Sequence, residues 1–173
     1  MPKSYLYKVL VTGNAGVGKT SLLRRYVQEK FDESTVMTIG VDFFVKELEI
    51  NSGKCSLQLW DLGGQRRFRY MQKQYVMGAR GALLLVDLTY KPKIDEIVEW
   101  VNIIRYYDIN LPILLVGTKF DLEDLISVPD DFLLDIKDAF NMFDIYKTSA
   151  KTGHNVQKVF TKIAEKLVDN DNY

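Results

Sequence analysis

Gly13-Asn14-Ala15-Gly16-Val17-Gly18-Lys19-Thr20 is the stretch from which the rest of the chain is read. Tyr5 to Thr12, centred on Val9, Leu10 and Val11, precedes it as an apolar run of strand length, and Leu22, Leu23, Tyr26 and Val27 follow at helical spacing. Strand, glycine loop and helix in that order make a phosphate-binding loop. Glycines let successive backbone N–H groups turn toward one anion, and the helix that starts near Gly18 adds its positive end. Lys19 adds a charge that reaches the β- and γ-phosphates of a nucleoside triphosphate, and the Thr20 hydroxyl is placed to ligate Mg²⁺. A triphosphate with its metal is the expected ligand.

The chain has 173 residues, a length that fits one domain over residues 1–173 with a substantial core. Lys plus Arg and Asp plus Glu number 23 each, so there is no net field to draw in nucleic acid, and no nucleic-acid partner is expected. One cysteine, Cys55, excludes an internal disulfide and fits a reducing compartment; it is read as a half-buried strand residue. No apolar run approaches the roughly 18 residues of a membrane span, and Met-Pro-Lys-Ser resembles neither a signal peptide nor a myristoylation site. A soluble, cytoplasmic monomer is expected.

Phe31 to Gly40 lacks a clean period and is read as a mobile loop. Val41 to Ile50 and Cys55 to Trp60 flank Asn51-Ser52-Gly53-Lys54 and predict an antiparallel hairpin. A second loop, with a short helix in the basic aromatic segment Arg66 to Tyr75, follows Trp60-Asp61-Leu62-Gly63-Gly64-Gln65. Ala82 to Asp87 and Pro112 to Val116 read as buried parallel strands. Between them, Ile94, Ile97, Val98, Val101 and Ile104 keep helical spacing. Ser127-Val128-Pro129-Asp130 resembles a capping box before a helix carrying Phe132, Leu133, Ile136 and Phe140. Ile145 and Tyr146 predict a short last strand, and Val156, Val159, Phe160, Ile163, Ala164 and Leu167 a last helix. The pattern predicts an α/β fold: a mostly parallel six-stranded sheet with one antiparallel strand, helices on both faces, and a ligand at the strands' carboxyl ends.

The base is named by Gly117-Thr118-Lys119-Phe120-Asp121-Leu122, behind a buried strand. The Asp121 carboxylate can accept from the ring N1–H and the 2-amino group of guanine, and adenine offers neither. A buried acceptor left unpaired by the wrong ligand discriminates strongly. Thr148-Ser149-Ala150-Lys151 could offer backbone N–H groups to the guanine O6.

With these motifs on the page, the chain resembles a Ras-superfamily small GTPase, a P-loop NTPase with a small G domain, and is most similar to the Rab and Ras branches. The matching pieces are Gly13 to Thr20, Thr38-Ile39-Gly40-Val41-Asp42-Phe43, Trp60-Asp61 with Gly64-Gln65, Arg67-Phe68-Arg69, Thr118 to Asp121 and Ser149-Ala150-Lys151. The resemblance implies a GTP-switched enzyme with two switch loops, about 31–43 and 61–77, slow without an activating partner. It places Asn14, Ala15, Gly16, Val17, Gly18, Lys19, Thr20 and Ser21 around the phosphates and Phe31 against the guanine. Thr38 and Gly64 meet the γ-phosphate, while Thr118, Lys119, Asp121, Leu122, Ser149, Ala150 and Lys151 surround the base. The implied metal is Mg²⁺ on Thr20 and Thr38, with Asp61 acting through water. Gln65 orients the attacking water, and Lys19, Thr38 and Gly64 complete the catalytic set. Effectors, exchange factors and GTPase-activating proteins are the implied partners, reading the switch loops with Phe43, Trp60 and Tyr75.

The sequence departs from the family pattern at several places. Ala15 stands where relatives carry glycine or serine, close to where a partner's arginine would approach. Val36 stands where α subunits of heterotrimeric G proteins carry an internal arginine, and Thr35 replaces an aromatic that often covers the nucleotide. Thr118 replaces asparagine, Gly63 beside Gly64 resembles Arf relatives, and Arg66 replaces an acidic residue. No cysteine lies near the C-terminus, so prenylation is not expected on this chain, and membrane association would come through a missing tail or a partner. His154 is read as a solvated residue ahead of the last helix. The alternative to a timed enzyme is a module that senses GTP and scarcely hydrolyses it. An ATP-dependent kinase or motor leaves Thr118 to Asp121 without a purpose.

Overall fold

Each buried apolar run became a strand and each amphipathic stretch a helix, in a computed structural model that describes residues 3–34, 37–51 and 53–173. The order is β1 (Lys3–Thr12), α1 (Lys19–Gln28), β2 (Val41–Ile50), β3 (Gly53–Leu62), a 3₁₀ stretch (Arg66–Met71) running into α2 (Gln72–Val76), and β4 (Gly81–Asp87). Then come α3 (Ile94–Ile104), β5 (Ile113–Thr118), a 3₁₀ turn (Glu123–Leu125), α4 (Asp130–Ala139), β6 (Asp144–Lys147) and α5 (Val156–Asn172). The sheet runs β2-β3-β1-β4-β5-β6, and β2 is its antiparallel member. The fold class expected from the sequence is the one observed.

Strand order reverses about β1, whose neighbours are β3 and β4, so the crevice at its carboxyl end is the place for a ligand. One core packs α1 and α5 on one face of the sheet, where the rings of Tyr26 and Phe160 stack with centroids 3.9 Å apart. Full burial of such a side chain is worth about 1.5–3 kcal/mol. The second core packs α3 and α4 on the other face around Trp100. The two cores hold β1, β4 and β5 rigid from both sides. The phosphate loop hangs from the end of β1 and the stretch from Thr118 to Asp121 from the end of β5.

Two expectations are corrected. Helix α4 begins at Asp130 with Pro129 at its N-cap and no side-chain cap, so Ser127 forms no capping box. The Ser127 and Val128 N–H groups donate to the Leu88 carbonyl, and Val128 is buried, which holds both outside the helix. Cys55 is fully buried, because its side chain points at the α1–α5 face.

Candidate nucleotide site

A cavity of about 640 Å³ opens at the carboxyl ends of the strands. Its floor is Ala15 to Leu22, the loop after β1 and the first turn of α1. Gly18, with φ of 97°, caps the helix, and the first helical bond is donated by the Leu22 N–H to the Gly18 carbonyl at 2.9 Å. The amides of Lys19, Thr20 and Ser21 therefore have no helical acceptor and are free for an anion. Lys19 is 6% exposed, and its Nζ donates to the carbonyls of Gly13 at 2.8 Å and Asn14 at 2.9 Å. Burial lowers its pKa to about 8, countered by Asp61 and helped by Arg69. An arriving phosphate offers this ammonium a stronger partner than two neutral carbonyls.

At one end, three segments bring oxygen atoms together. Thr20 from α1, Thr38 from the first loop and Asp61 from β3 meet: the Thr20 Oγ1 donates to Asp61 Oδ2 at 2.5 Å and lies 2.7 Å from Thr38 Oγ1. Thr38 Oγ1 is 3.4 Å from the same carboxylate oxygen. Asp61 is fully buried and its Oδ1 has no partner. Burial raises its pKa, opposed by the Thr20 hydrogen bond and by Lys19. Two hydroxyls and a carboxylate with an unsatisfied oxygen are the hard donor set that Mg²⁺ and its waters suit. Gly64 lies against the loop itself: a Cβ there would fall 2.5 Å from the Asn14 carbonyl carbon and 2.6 Å from Gly13 O. Beside it, the Gly63 N–H donates to Gly40 O at 2.7 Å and joins the two loop segments.

At the other end, Asp121 accepts from Ser149 Oγ at 2.7 Å, and Lys119 pairs with Asp87 at 2.7 Å. The Thr118 hydroxyl donates to Val17 O at 2.6 Å and fastens β5 to the phosphate loop. Phe31 lines the cavity from the side, and Lys151 pairs with Glu33 at 3.3 Å, linking the base end to the first loop.

The same chain matches the model of the Ras family over residues 8–169. It belongs to the Ras family. Rab-1 of Theileria annulata is 41% identical over 167 residues, covering 95% of this chain and 76% of the relative. Human Rab-30 is 39% identical over 165 residues, covering 95% and 81%, and human Rab-3A is 37% identical over 166 residues, covering 95% and 73%. The Ras-family assignment makes this a Rab-like small GTPase, an enzyme that hydrolyses GTP and serves as a GTP-binding switch.

Most residues expected at the nucleotide line this GTPase's cavity, from Ala15 to Ser21 and from Thr118 to Leu122 without Phe120, with Phe31, Thr38, Gly64, Ala150 and Lys151. Asn14, Asp61, Ser149 and Gln65 do not line it. The Asn14 side chain turns away, toward Arg69 and Trp100. Asp61 lies behind Thr20 and accepts from its hydroxyl. Ser149 holds Asp121, and its own N–H is taken by the His154 carbonyl at 3.1 Å, as that of Thr148 is by Gly117 O at 2.7 Å. Ala150 and Lys151 line the cavity. Gln65 is not brought to the cavity: its amide nitrogen bonds Met37 Sδ, and its oxygen accepts from Arg67 Nε at 2.7 Å. Thr35 and Val36 lie outside the described residues. His154 is exposed, beside the ring of Phe120, in keeping with a solvated role.

Phe43 meets Trp60 edge to face with centroids 5.4 Å apart, and Trp60 lies 6.2 Å from Tyr75. Phe43 is 46% exposed, while Trp60 and Tyr75 pack on the second core. The three aromatics thus form one surface as well as a floor. Arg69 was noted only as part of a family match, and Gln72, Glu99 and Trp100 went unread in the sequence, because nothing local marks a cluster drawn from a loop and a helix some thirty residues apart. Asp87 carried a signal, an acidic residue at the carboxyl end of a buried strand.

Proposed function

We propose that GTP binds in this cavity as a single G domain's ligand over residues 1–173, with guanine read by Asp121 and phosphates held by the loop from Asn14 to Ser21. The observation that carries the reading is the meeting of Thr20, Thr38 and Asp61 with one carboxylate oxygen left unpaired. The two hydroxyls would hold Mg²⁺, with Asp61 behind them through water. The metal supplies charge neutralisation on the phosphates. The chain's own groups do the rest. Lys19 gives up its loop carbonyls for the β- and γ-phosphates, and the N–H groups of Thr38 and Gly64 grip the γ-phosphate. Gln65 orients the attacking water. Phosphoryl transfer needs positioning and charge stabilisation more than covalent chemistry, and these residues provide both.

Loss of the γ-phosphate removes what holds Thr38 and Gly64, so segments 31–43 and 61–77 relax together. Effectors, exchange factors and activating proteins read that change through the switch segments and Phe43, Trp60 and Tyr75. The protein acts as a cytoplasmic monomer that reaches membranes peripherally. Among the described residues no helix is long and apolar enough to cross one.

One observation favours a second reading, a GTP sensor with little hydrolysis: Gln65 is bound to Met37 and Arg67 outside the cavity. Chromatography of nucleotide released from the purified protein tests the first half of the proposal, and guanine nucleotide is the expected result. Single-turnover phosphate release from GTP-loaded protein separates the readings. A measurable slow rate supports the enzyme, and none supports the sensor.

A further inference from the structure

Asn14 stands in the phosphate loop, yet its side chain serves the far side of it. Its Oδ1 accepts from Arg69 Nη2 at 2.7 Å and from Trp100 Nε1 at 2.9 Å. The same arginine pairs through Nη1 with Glu99 on α3, reaches the Gly64 carbonyl at 3.5 Å, and lays its guanidinium 4.8 Å from the centre of the Trp100 ring. One planar cation touches the phosphate loop, the segment that carries Gly64, and α3. Arg69 is 8% exposed and Trp100 1%. With its Nε unpartnered, the buried guanidinium depends on the bonds its two terminal nitrogens make, and only a fork can make them in three directions at once.

We infer that Arg69 is a positioning residue that couples the placement of Gly64 to α3, so that Trp100 reports the nucleotide state. The inference rests on the reading that Gly64 meets the terminal phosphate. Arg69 lies five residues beyond Gly64, in the 3₁₀ stretch of the same segment, and cannot keep its place when that segment relaxes. Asn14 and Trp100 belong to the phosphate loop and the second core and stay. Relaxation therefore takes one donor from Asn14 Oδ1 and the cation from the indole ring. The contacts exist only in the ordered arrangement, so they also bias the protein toward the triphosphate state.

The test uses the full chain carrying Trp60→Phe, which leaves Trp100 as the sole tryptophan, since the sequence has two. Its emission is recorded with GDP and with a slowly hydrolysed GTP analogue, beside the affinity for each. The expected result is a clear difference in emission between the two nucleotides, lost in both Arg69→Lys and Arg69→Met. The preference for the analogue over GDP should fall about tenfold, with GDP affinity nearly unchanged, as for one lost charged hydrogen-bond set. Equal emission in the parent, a lysine variant that behaves as the parent, or an equal loss of both affinities would overturn the inference. If Arg69→Met fails to fold, Arg69→Lys decides alone. A parent that binds neither nucleotide would refute the reading of the cavity instead.

Discussion

The base end and the terminal-phosphate end of the cavity are built in opposite ways. At the base end, Thr118 ends β5 and Lys119 and Asp121 follow it, and backbone bonds stitch this stretch to its neighbours: Phe120 N–H to Thr148 O at 3.0 Å, Leu88 N–H to Thr118 O at 3.1 Å. At the phosphate end, Thr38 and Gly64 come from segments outside regular structure, flanked by the exposed Met37 and Ile39, and joined by the Gly63–Gly40 bond and the Thr20–Thr38 contact. The first end is fixed by the sheet. The second is held by a few bonds. On the proposed function, recognition of the base and response to hydrolysis are thereby separated within one site.

The largest effect should come from breaking the rigid end. Asp121→Ala should cost about 10³–10⁴ in GTP affinity, because guanine's two donors lose their acceptor. Asp121→Asn should do similar damage while improving xanthine nucleotides, whose 2-oxo group prefers a donor. Competition against a fluorescent GTP analogue measures both, and ATP displacing the analogue as well as GTP does would refute the base assignment.

Next in size is the loss of the anion trap. At a ligand concentration of about 1,000 times Kd, GTP with Mg²⁺ should stabilise the protein by about 4 kcal/mol. Lys19→Ala and Thr20→Asn should lose most of that gain while their nucleotide-free melting temperatures stay close to the parent's. A thermal shift series with and without GTP shows this, and equal rises in all three proteins would contradict the roles given.

Rate comes third. Val36 stands two residues before Thr38, at the place where α subunits of heterotrimeric G proteins carry a catalytic arginine finger. A finger is worth roughly 10³–10⁵ in kcat, so unaided turnover should be on the order of 10⁻⁴ to 10⁻³ per second. Gln65→Leu should lower it by about tenfold or more with GTP affinity nearly intact, since that side chain acts on the water. An unchanged single-turnover rate would move the chemistry elsewhere.

A finer probe is the joint between the loops. In Gly63→Ala the new Cβ would stand 2.8 Å from Gly40 O and 3.0 Å from Thr38 O, so the segments must part. The preference for GTP over GDP should fall by about threefold to tenfold, with GDP binding unchanged, as in loss of one hydrogen bond. The smallest nucleotide effect belongs to Cys55, whose thiol burial pushes up to about 11. Its folded pKa exceeds the unfolded value of about 8.5, so the stability it lends is complete below that pH and fades as pH climbs toward 11. Alkylation at pH 8 should be roughly 100-fold slower than in denaturant, and equally slow with GDP or GTP. Rapid labelling of the folded protein would show that the core opens there.

The sequence by itself determined the fold class and the inventory of the site. Glycine spacing, strand-length apolar runs and helical stripes are local signals, and the phosphate loop and Asp121 were legible in them, while Thr38 and Gly64 came from the resemblance to the family. Such signals say which residue types are present and in what order. Only the tertiary structure decided where each side chain points. It turned Asn14 from the phosphates to Arg69 and Trp100, made Ser149 the support of Asp121, and drew Gln65 to Met37 and Arg67. It also moved the start of α4 past Ser127, because Leu88 offered a carbonyl that no local pattern announces. The physical reason is that a polar group goes to whichever partner the packed fold brings within about 3 Å, and, Arg67 beside Gln65 apart, those partners lie tens of residues away in sequence.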